Sequence, residues 1–78
     1  MANVTIYTTS TCPWCHKAME FFKANKVKFA EVNVQENPER SSEVVEKSGQ
    51  MGVPVIEIDG KIIVGYNEQA IKNALKIN

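Results

Sequence analysis

The chain has 78 residues, enough for one small domain, and 44% of them are hydrophobic, enough for one compact core. Nine basic and nine acidic side chains leave no formal net charge, which argues against nucleic acid or an anionic membrane as a partner. The longest apolar stretch is far shorter than the roughly 20 residues that a membrane span needs. No signal peptide is recognised, so we expect a cytoplasmic location. From the length we expect a single domain, residues 1–78. We also expect the protein to act as a monomer.

The first half of the chain predicts a strand, a helix and a second strand. Residues 3–7 (NVTIY) form a β-branched run typical of a strand. Proline suits the first helical position, so a helix is predicted from Pro13 to about Asn25. Its apolar face recurs at helical spacing, at Cys15, Ala18, Met19 and Phe22. Residues 28–34 alternate apolar and polar side chains and predict the second strand.

A second helix is predicted after this strand. Asn37-Pro38-Glu39 is typical of a helix start, with an asparagine cap, proline in the first turn and an acid beside it. Gly49 is a natural residue for the end of the helix. The inner face is predicted to consist of Val44, Val45 and Ser48.

The last third predicts a hairpin and a third helix. Asp59-Gly60, a strong two-residue hairpin signal, separates the short apolar runs 53–58 and 62–65. Asn67 is suited to cap a helix whose apolar positions are Ile71, Ala74 and Leu75. The order βαβαββα predicts an α/β fold, a four-stranded mixed sheet with three helices, in which the first two strands are parallel.

The segment Cys12-Pro13-Trp14-Cys15 is the motif with the clearest chemical meaning. The cysteines are three residues apart at a helix start, which puts both sulfurs on one side of the first turn. Unpaired N–H groups and the positive end of the helix dipole favour the thiolate, the attacking form, at Cys12. Cys15 lies one turn further on the apolar face. The pair therefore predicts thiol–disulfide exchange, with Cys12 as nucleophile and Cys15 as resolving thiol.

Three other interpretations of the cysteine pair are possible. A structural disulfide across so short a loop would constrain the unfolded chain by only about 2 kcal/mol. A structural zinc site needs four ligands, whereas the chain has two cysteines and one histidine, and His16 points away from its neighbour Cys15. Two unrelated core cysteines would leave the C-x-x-C spacing beside a βαβ pattern unexplained. We therefore predict no metal ligands.

Several motifs together resemble the glutaredoxin family of the thioredoxin superfamily, most closely the small bacterial glutaredoxin-like proteins of the YruB type. They are the run from Thr5 to Cys15, the phrase GQMGVP at 49–54, Asp59-Gly60-Lys61 and Gly65-Tyr66-Asn67. The resemblance covers essentially the whole chain. It implies the thioredoxin/glutaredoxin fold and a cis peptide bond before Pro54.

The resemblance also implies a substrate-binding surface beside the cysteines. In this family the loop before the third strand offers backbone groups to an extended substrate, a role that would fall to Val53 and Pro54. The other residues implied or suggested for substrate binding are Pro13, Trp14, Gly65, Tyr66 and Asn67.

The chain departs from glutathione-using relatives at four positions. Thr9 stands where they usually have lysine, Gly52 where they have threonine, Val64 where they have the first glycine of a pair, and Asn67 where they have aspartate. The replacements at Thr9 and Asn67 each remove a charged contact for glutathione, worth about 1.5–3 kcal/mol. We therefore expect no bound cofactor, and electrons from a flavoprotein disulfide reductase ahead of glutathione.

The expected partners are disulfide-containing proteins, for example a peroxidase or a reductase. The alternative function is that of an iron–sulfur-cluster-binding glutaredoxin-like module, which would hold a cluster between two subunits through the first cysteine and glutathione. Pro13 and the second cysteine argue against this alternative.

Overall fold

A computed structural model describes residues 3–50 and 52–77. Met51, which belongs to the GQMGVP phrase, lies outside these residues. The described part contains the strands β1 (Val4–Thr8), β2 (Ala30–Asn33), β3 (Val55–Ile58) and β4 (Lys61–Val64), and the helices α1 (Pro13–Ala24), α2 (Ser41–Ser48) and α3 (Glu68–Leu75). The predicted order βαβαββα is confirmed.

The four strands form one mixed sheet in the order β2-β1-β3-β4. β1 pairs with β2 in parallel, and the other two pairings are antiparallel. The β3–β4 connection is the predicted two-residue hairpin. Asp59 and Gly60 both have positive φ, 49° and 87°, the backbone conformation that such a turn requires.

Both faces of the sheet are covered. α1 and α3 pack on one face through a cluster that includes the fully buried Phe22 and Ile71, together with Ile6 and Ile56. On the other face, Val44 of α2 packs with Tyr7, Val32 and Val55. Two layers of helices therefore enclose the sheet, and the carboxyl ends of the parallel strands β1 and β2 lead into the loops that carry the cysteine motif and the start of α2. None of the helices within 3–50 and 52–77 has the length and apolar character needed to cross a membrane.

The second helix differs from its prediction at its start and on its face. A single 3₁₀ turn, Pro38–Arg40, precedes α2, and Asn37 makes no capping hydrogen bond. Its side chain donates instead to the Asn33 carbonyl oxygen at 3.1 Å. Val45, predicted to face the core, is 40% exposed, because neighbouring helical residues point about 100° apart and Val44 is the one that packs against the sheet. The predicted end at Gly49 is confirmed, with φ 78°.

Candidate functional site

The first cysteine caps the helix that follows it. Cys12 is the N-cap of α1, with extended backbone, and Pro13 occupies the first turn. The backbone N–H of Cys15 donates to Cys12 Sγ at 3.1 Å. A sulfur in this position satisfies one of the N–H groups that a helix start leaves unpaired. The same hydrogen bond, together with the positive end of the helix dipole, stabilises negative charge on Cys12 Sγ.

The second cysteine is enclosed by the protein. Cys15 has no exposed surface, whereas Cys12 is half-buried, and neither is in a disulfide. Burial, followed by the hydrogen bond with Cys12, raises the pKa of the Cys15 thiol to about 12. The two sulfurs therefore differ in the way that a nucleophile and a resolving thiol should differ: one is accessible at a helix end, and the other is kept protonated beneath it.

The loop before β3 comes next to the first cysteine. The Val53–Pro54 peptide bond is cis, as the resemblance implies. Cys12 Sγ lies 3.8 Å from the Val53 carbonyl oxygen, a distance at which a thiol can donate a hydrogen bond. The Pro54 carbonyl oxygen accepts the N–H of Gly65 at 2.8 Å, so the end of β4 is attached to the same loop.

An aromatic pair lies beside the cysteine motif. Trp14, 56% exposed, stacks on Tyr66 with ring centroids 6.2 Å apart and planes 25° apart. Tyr66 also meets Phe21 edge-on, and its hydroxyl donates to Glu68 Oε1 at 3.0 Å. The Lys17 ammonium lies 5.3 Å from the centre of the Trp14 ring. Tyr66 therefore holds Trp14 in place beside the cysteines while leaving much of its surface accessible.

Asn67 is placed differently from the other predicted site residues. Its side-chain oxygen accepts the N–H of Ala70 at 3.1 Å, so it caps α3 as predicted. The other predicted residues are brought together in contacting pairs: Cys12 with Val53, Pro54 with Gly65, and Trp14 with Tyr66, with Pro13 between the cysteines.

Sequence reasoning missed the residues that hold the loop before Cys12. Asn33 donates to Ser10 Oγ at 3.0 Å, and its side-chain oxygen accepts the N–H groups of Gln35 and Glu36 at 3.0 and 3.1 Å. Gln35 in turn accepts the Ser10 N–H at 3.1 Å. An asparagine where a strand gives way to a turn is the signal that could have indicated this anchor. His16, exposed as a solvated helical histidine, lies 3.2 Å from the Ser10 carbonyl oxygen.

A buried hydroxyl below the cysteines was also not predicted. Thr8 has no exposed surface, and its hydroxyl donates to Glu31 on the edge strand at 2.7 Å. The bond satisfies a polar group that would otherwise be costly to bury. A threonine at the end of a strand gives no sequence signal of this partner, because Glu31 is 23 residues away.

Metal ligands are not brought together in the part of the chain that the structure describes. Residues 3–50 and 52–77 contain no group of three or more histidine, cysteine, aspartate or glutamate side chains arranged to hold an ion.

The family model for glutaredoxin matches residues 4–63, more than half of the chain. The chain belongs to the glutaredoxin family. A glutaredoxin-like protein of 8.6 kDa in the rubredoxin operon of Clostridium pasteurianum is 44% identical over 73 residues, which cover 94% of this chain and 97% of that protein. Glutaredoxin 3 of Escherichia coli is 40% identical over 68 residues, covering 87% and 82% of the two chains.

The solved structures agree with this family assignment. The crystal structure of a glutaredoxin from Archaeoglobus fulgidus superimposes with a TM-score of 0.86 at 33% identity, covering 97% of this chain and 88% of the other. The predicted thioredoxin-like fold and glutaredoxin resemblance are confirmed, and the protein is thiol–disulfide oxidoreductase-like in family.

Proposed function

We propose that the protein is a dithiol–disulfide oxidoreductase that reduces protein or low-molecular-weight disulfides with the Cys12–Cys15 pair. The observation that carries the proposal is the contrast between the two sulfurs. Cys12 Sγ is accessible and accepts the N–H of Cys15 at a helix start, while Cys15 is fully buried with a raised pKa. This contrast gives each cysteine one of the two roles that the exchange requires.

In the first step the Cys12 thiolate attacks one sulfur of the substrate disulfide. A Cys12–substrate disulfide forms, the substrate S–S bond breaks, and the other substrate sulfur leaves as a thiolate that takes a proton from solvent. Release of the Cys12 thiol proton precedes attack. The N–H of Cys15 then supports the anion.

In the second step Cys15 loses its proton and attacks Cys12 Sγ. The Cys12–Cys15 disulfide forms, the mixed disulfide breaks, and the substrate leaves as its second thiol. The substrate has gained two electrons and two protons, and the protein has lost them. A donor must then return both electrons to the protein disulfide.

The surface around Cys12 supports binding of a disulfide in an extended segment. Val53 and Pro54 offer backbone groups next to Cys12 Sγ, and Gly65 is tied to Pro54. The Trp14–Tyr66 pair supplies accessible aromatic surface at the cysteine motif. We propose oxidised proteins, a peroxidase or a reductase among them, as the natural substrates, with the protein acting as a cytoplasmic monomer.

We further propose a flavoprotein disulfide reductase as electron donor ahead of glutathione. Glutathione is a small zwitterion that needs charged contacts, and the positions where glutathione-using relatives carry them hold Thr9 and Asn67 here. Neither side chain is charged, so neither supplies an ionic contact to glutathione. A reductase can instead dock through protein surface around Trp14.

The test compares two donor systems on one oxidised protein substrate, each coupled to NADPH consumption: a thioredoxin-reductase-type flavoprotein, and glutathione with glutathione reductase. We expect turnover with the wild-type protein and none with Cys12→Ser. Ser42→Ala, at an exposed position of α2 away from the cysteines, serves as the matched control and should keep wild-type turnover. Turnover by Cys12→Ser at the wild-type rate would overturn the proposal.

A further inference from the structure

A cavity opens beside the cysteine motif, on the side of the sheet that α2 covers. Its volume is about 200 Å³. Six residues from four segments line it: Thr9, Val34, Ser41, Val44, Gly52 and Val53. The cysteine chemistry described above uses none of this cavity apart from Val53.

One residue connects the cavity with the reactive sulfur of Cys12. Val53 lines the cavity, and its carbonyl oxygen lies 3.8 Å from Cys12 Sγ. Within residues 3–50 and 52–77 no hydrogen bond to the Val53 N–H is present. An extended segment bound to Cys12 can therefore pair with the Val53 backbone, as a strand added to an edge does.

The lining fits an aliphatic side chain. Three of the six residues are valines, one is glycine, and the remaining two, Thr9 and Ser41, carry a hydroxyl and no charge. For comparison, a cavity of about 150 Å³ lined by apolar side chains accepts benzene. Charged groups, such as the carboxylates and the ammonium of glutathione, would find no opposite charge among these six residues and would lose hydration.

We propose that this cavity is a specificity pocket that holds an aliphatic side chain, such as leucine, of an extended protein segment containing the attacked half-cystine. The inference rests on the proposed function and names the substrate class of the same site. A strand advances about 3.4 Å per residue, and successive side chains point to opposite faces. Because Val53 both lines the cavity and lies beside Cys12 Sγ, we place the side chain in the pocket within two positions of the half-cystine.

The experiment uses short peptides whose single cysteine is joined by a disulfide to a chromogenic aryl thiol. The reduced protein attacks the peptide sulfur, and the aryl thiolate, the better leaving group, reports the rate. Leucine, alanine or aspartate is placed in turn at each position within two residues of the cysteine. At one position we expect the leucine peptide to react about 10-fold faster than the alanine peptide, with aspartate slower still.

A matched pair of variants tests whether the preference for leucine arises in this cavity. Ser41→Asp introduces a carboxylate into the lining, where the first turn of a helix tolerates an acid. Ser42→Asp adds the same charge one residue further on, at an exposed position outside the lining. We expect the leucine preference to disappear in Ser41→Asp and to persist in Ser42→Asp. Far-UV circular dichroism verifies that both variants are folded, and the peptide series on the wild-type protein tests the pocket without any variant.

The outcomes separate the two proposals. If the protein reacts with all the peptides at one rate, the exchange chemistry stands and the pocket is refuted. If Ser41→Asp retains the leucine preference, the preference arises elsewhere and the pocket is likewise refuted. If Cys12 reacts neither with the peptides nor with the aryl disulfide alone, the proposed function fails and the pocket fails with it.

Discussion

The backbone N–H of Cys15 points at Cys12 Sγ and donates a hydrogen bond to it at 3.1 Å. The residue that supplies this N–H also supplies the buried thiol of the motif, so one residue serves the pair in two ways. Its backbone N–H stabilises negative charge on Cys12 Sγ, and its own thiol has no exposed surface. Helix geometry at a C-x-x-C segment brings both about, because the N–H three residues after an N-cap is the one that a cap accepts.

The burial of Cys15 predicts the pH dependence of the second step. Burial is the largest cause of its raised pKa, and we expect this burial to be kept in the mixed disulfide. Since the pKa is raised to about 12, Cys15 is protonated at neutral pH and ionises more as pH rises. The resolution rate should therefore increase about tenfold per pH unit between roughly pH 6 and pH 9.

A symmetric chromogenic aryl disulfide separates the two steps, since attack by Cys12 releases the first aryl thiolate and resolution by Cys15 releases the second. Stopped-flow absorbance over the pH range measures both. Cys15→Ser is the control and should release only the first. A second release that is independent of pH would show that Cys15 is already ionised.

The Trp14–Tyr66 stack predicts that two substitutions of Tyr66 have different effects on Trp14 and on activity. Tyr66→Ala removes the ring that contacts Trp14 and Phe21, with a loss of about 0.5–1.5 kcal/mol from aromatic pairing in addition to the buried area. Tyr66→Phe removes only the hydroxyl bond to Glu68. Because Trp14 is the single tryptophan, its fluorescence reports the change directly. We expect altered emission and slower protein-disulfide reduction in Tyr66→Ala, with Tyr66→Phe close to wild type. Unchanged emission in Tyr66→Ala would mean that the stack does not form in solution.

Asn33 is predicted to stabilise the loop before the nucleophile. Asn33→Ala removes its bonds to Ser10, Gln35 and Glu36 and should lower the free energy of unfolding by about 1–3 kcal/mol. Asn33→Asp keeps the acceptor for the two N–H groups and loses only the donor to Ser10, so its loss should be smaller. Urea denaturation measures both. Equal losses would assign the whole effect to the Ser10 bond.

Most of the fold could be predicted from local sequence signals. Asp59-Gly60, Pro13 and Asn67 act through their own backbone or their nearest neighbours, so their turn, helix start and cap follow from the sequence. The Asn37 cap was predicted wrongly, since the end of β2 offers the Asn37 side chain a carbonyl acceptor at Asn33. Val45 is predicted on the inner face beside Val44, but neighbouring helical residues point about 100° apart, and Val44 is the one that packs against the sheet.

The site was predictable where chemistry depends on residues close in sequence. Cys12 and Cys15 are three residues apart, and their different environments follow from one helix turn. The Trp14–Tyr66 stack joins residues 52 positions apart, and the pocket collects Thr9, Ser41 and Val53 from separate segments. Such contacts arise only when the sheet brings distant segments together, so no local pattern indicates them.

The proposed electron donor predicts how glutathione use changes when the two charged side chains of glutathione-using relatives are introduced. Thr9→Lys with Asn67→Asp places a cation and an anion where glutathione-using relatives carry them, and aspartate caps α3 as well as asparagine does. Each charge-assisted hydrogen bond is worth about 1.5–3 kcal/mol, so the double variant should use glutathione at much lower concentration than the wild type. The coupled glutathione assay measures this change.

The matched control for that double variant is Gln69→Lys with Ser42→Asp, which makes the same charge changes at exposed positions outside the site. It should behave as the wild type does. Brisk wild-type turnover at millimolar glutathione, without response to the flavoprotein, would contradict the proposed donor.

The most direct test of the account is to trap the mixed disulfide. Cys15→Ser keeps the backbone N–H that supports Cys12 and removes the resolving thiol, so a substrate disulfide should remain attached to Cys12. Mass spectrometry of digested, alkylated protein identifies the modified cysteine. We predict a stable adduct on Cys12 in Cys15→Ser and no adduct at a comparable rate in Cys12→Ser. Adducts that accumulate on Cys15 in Cys12→Ser, as fast as they form on Cys12 in Cys15→Ser, would contradict the assignment of the nucleophile.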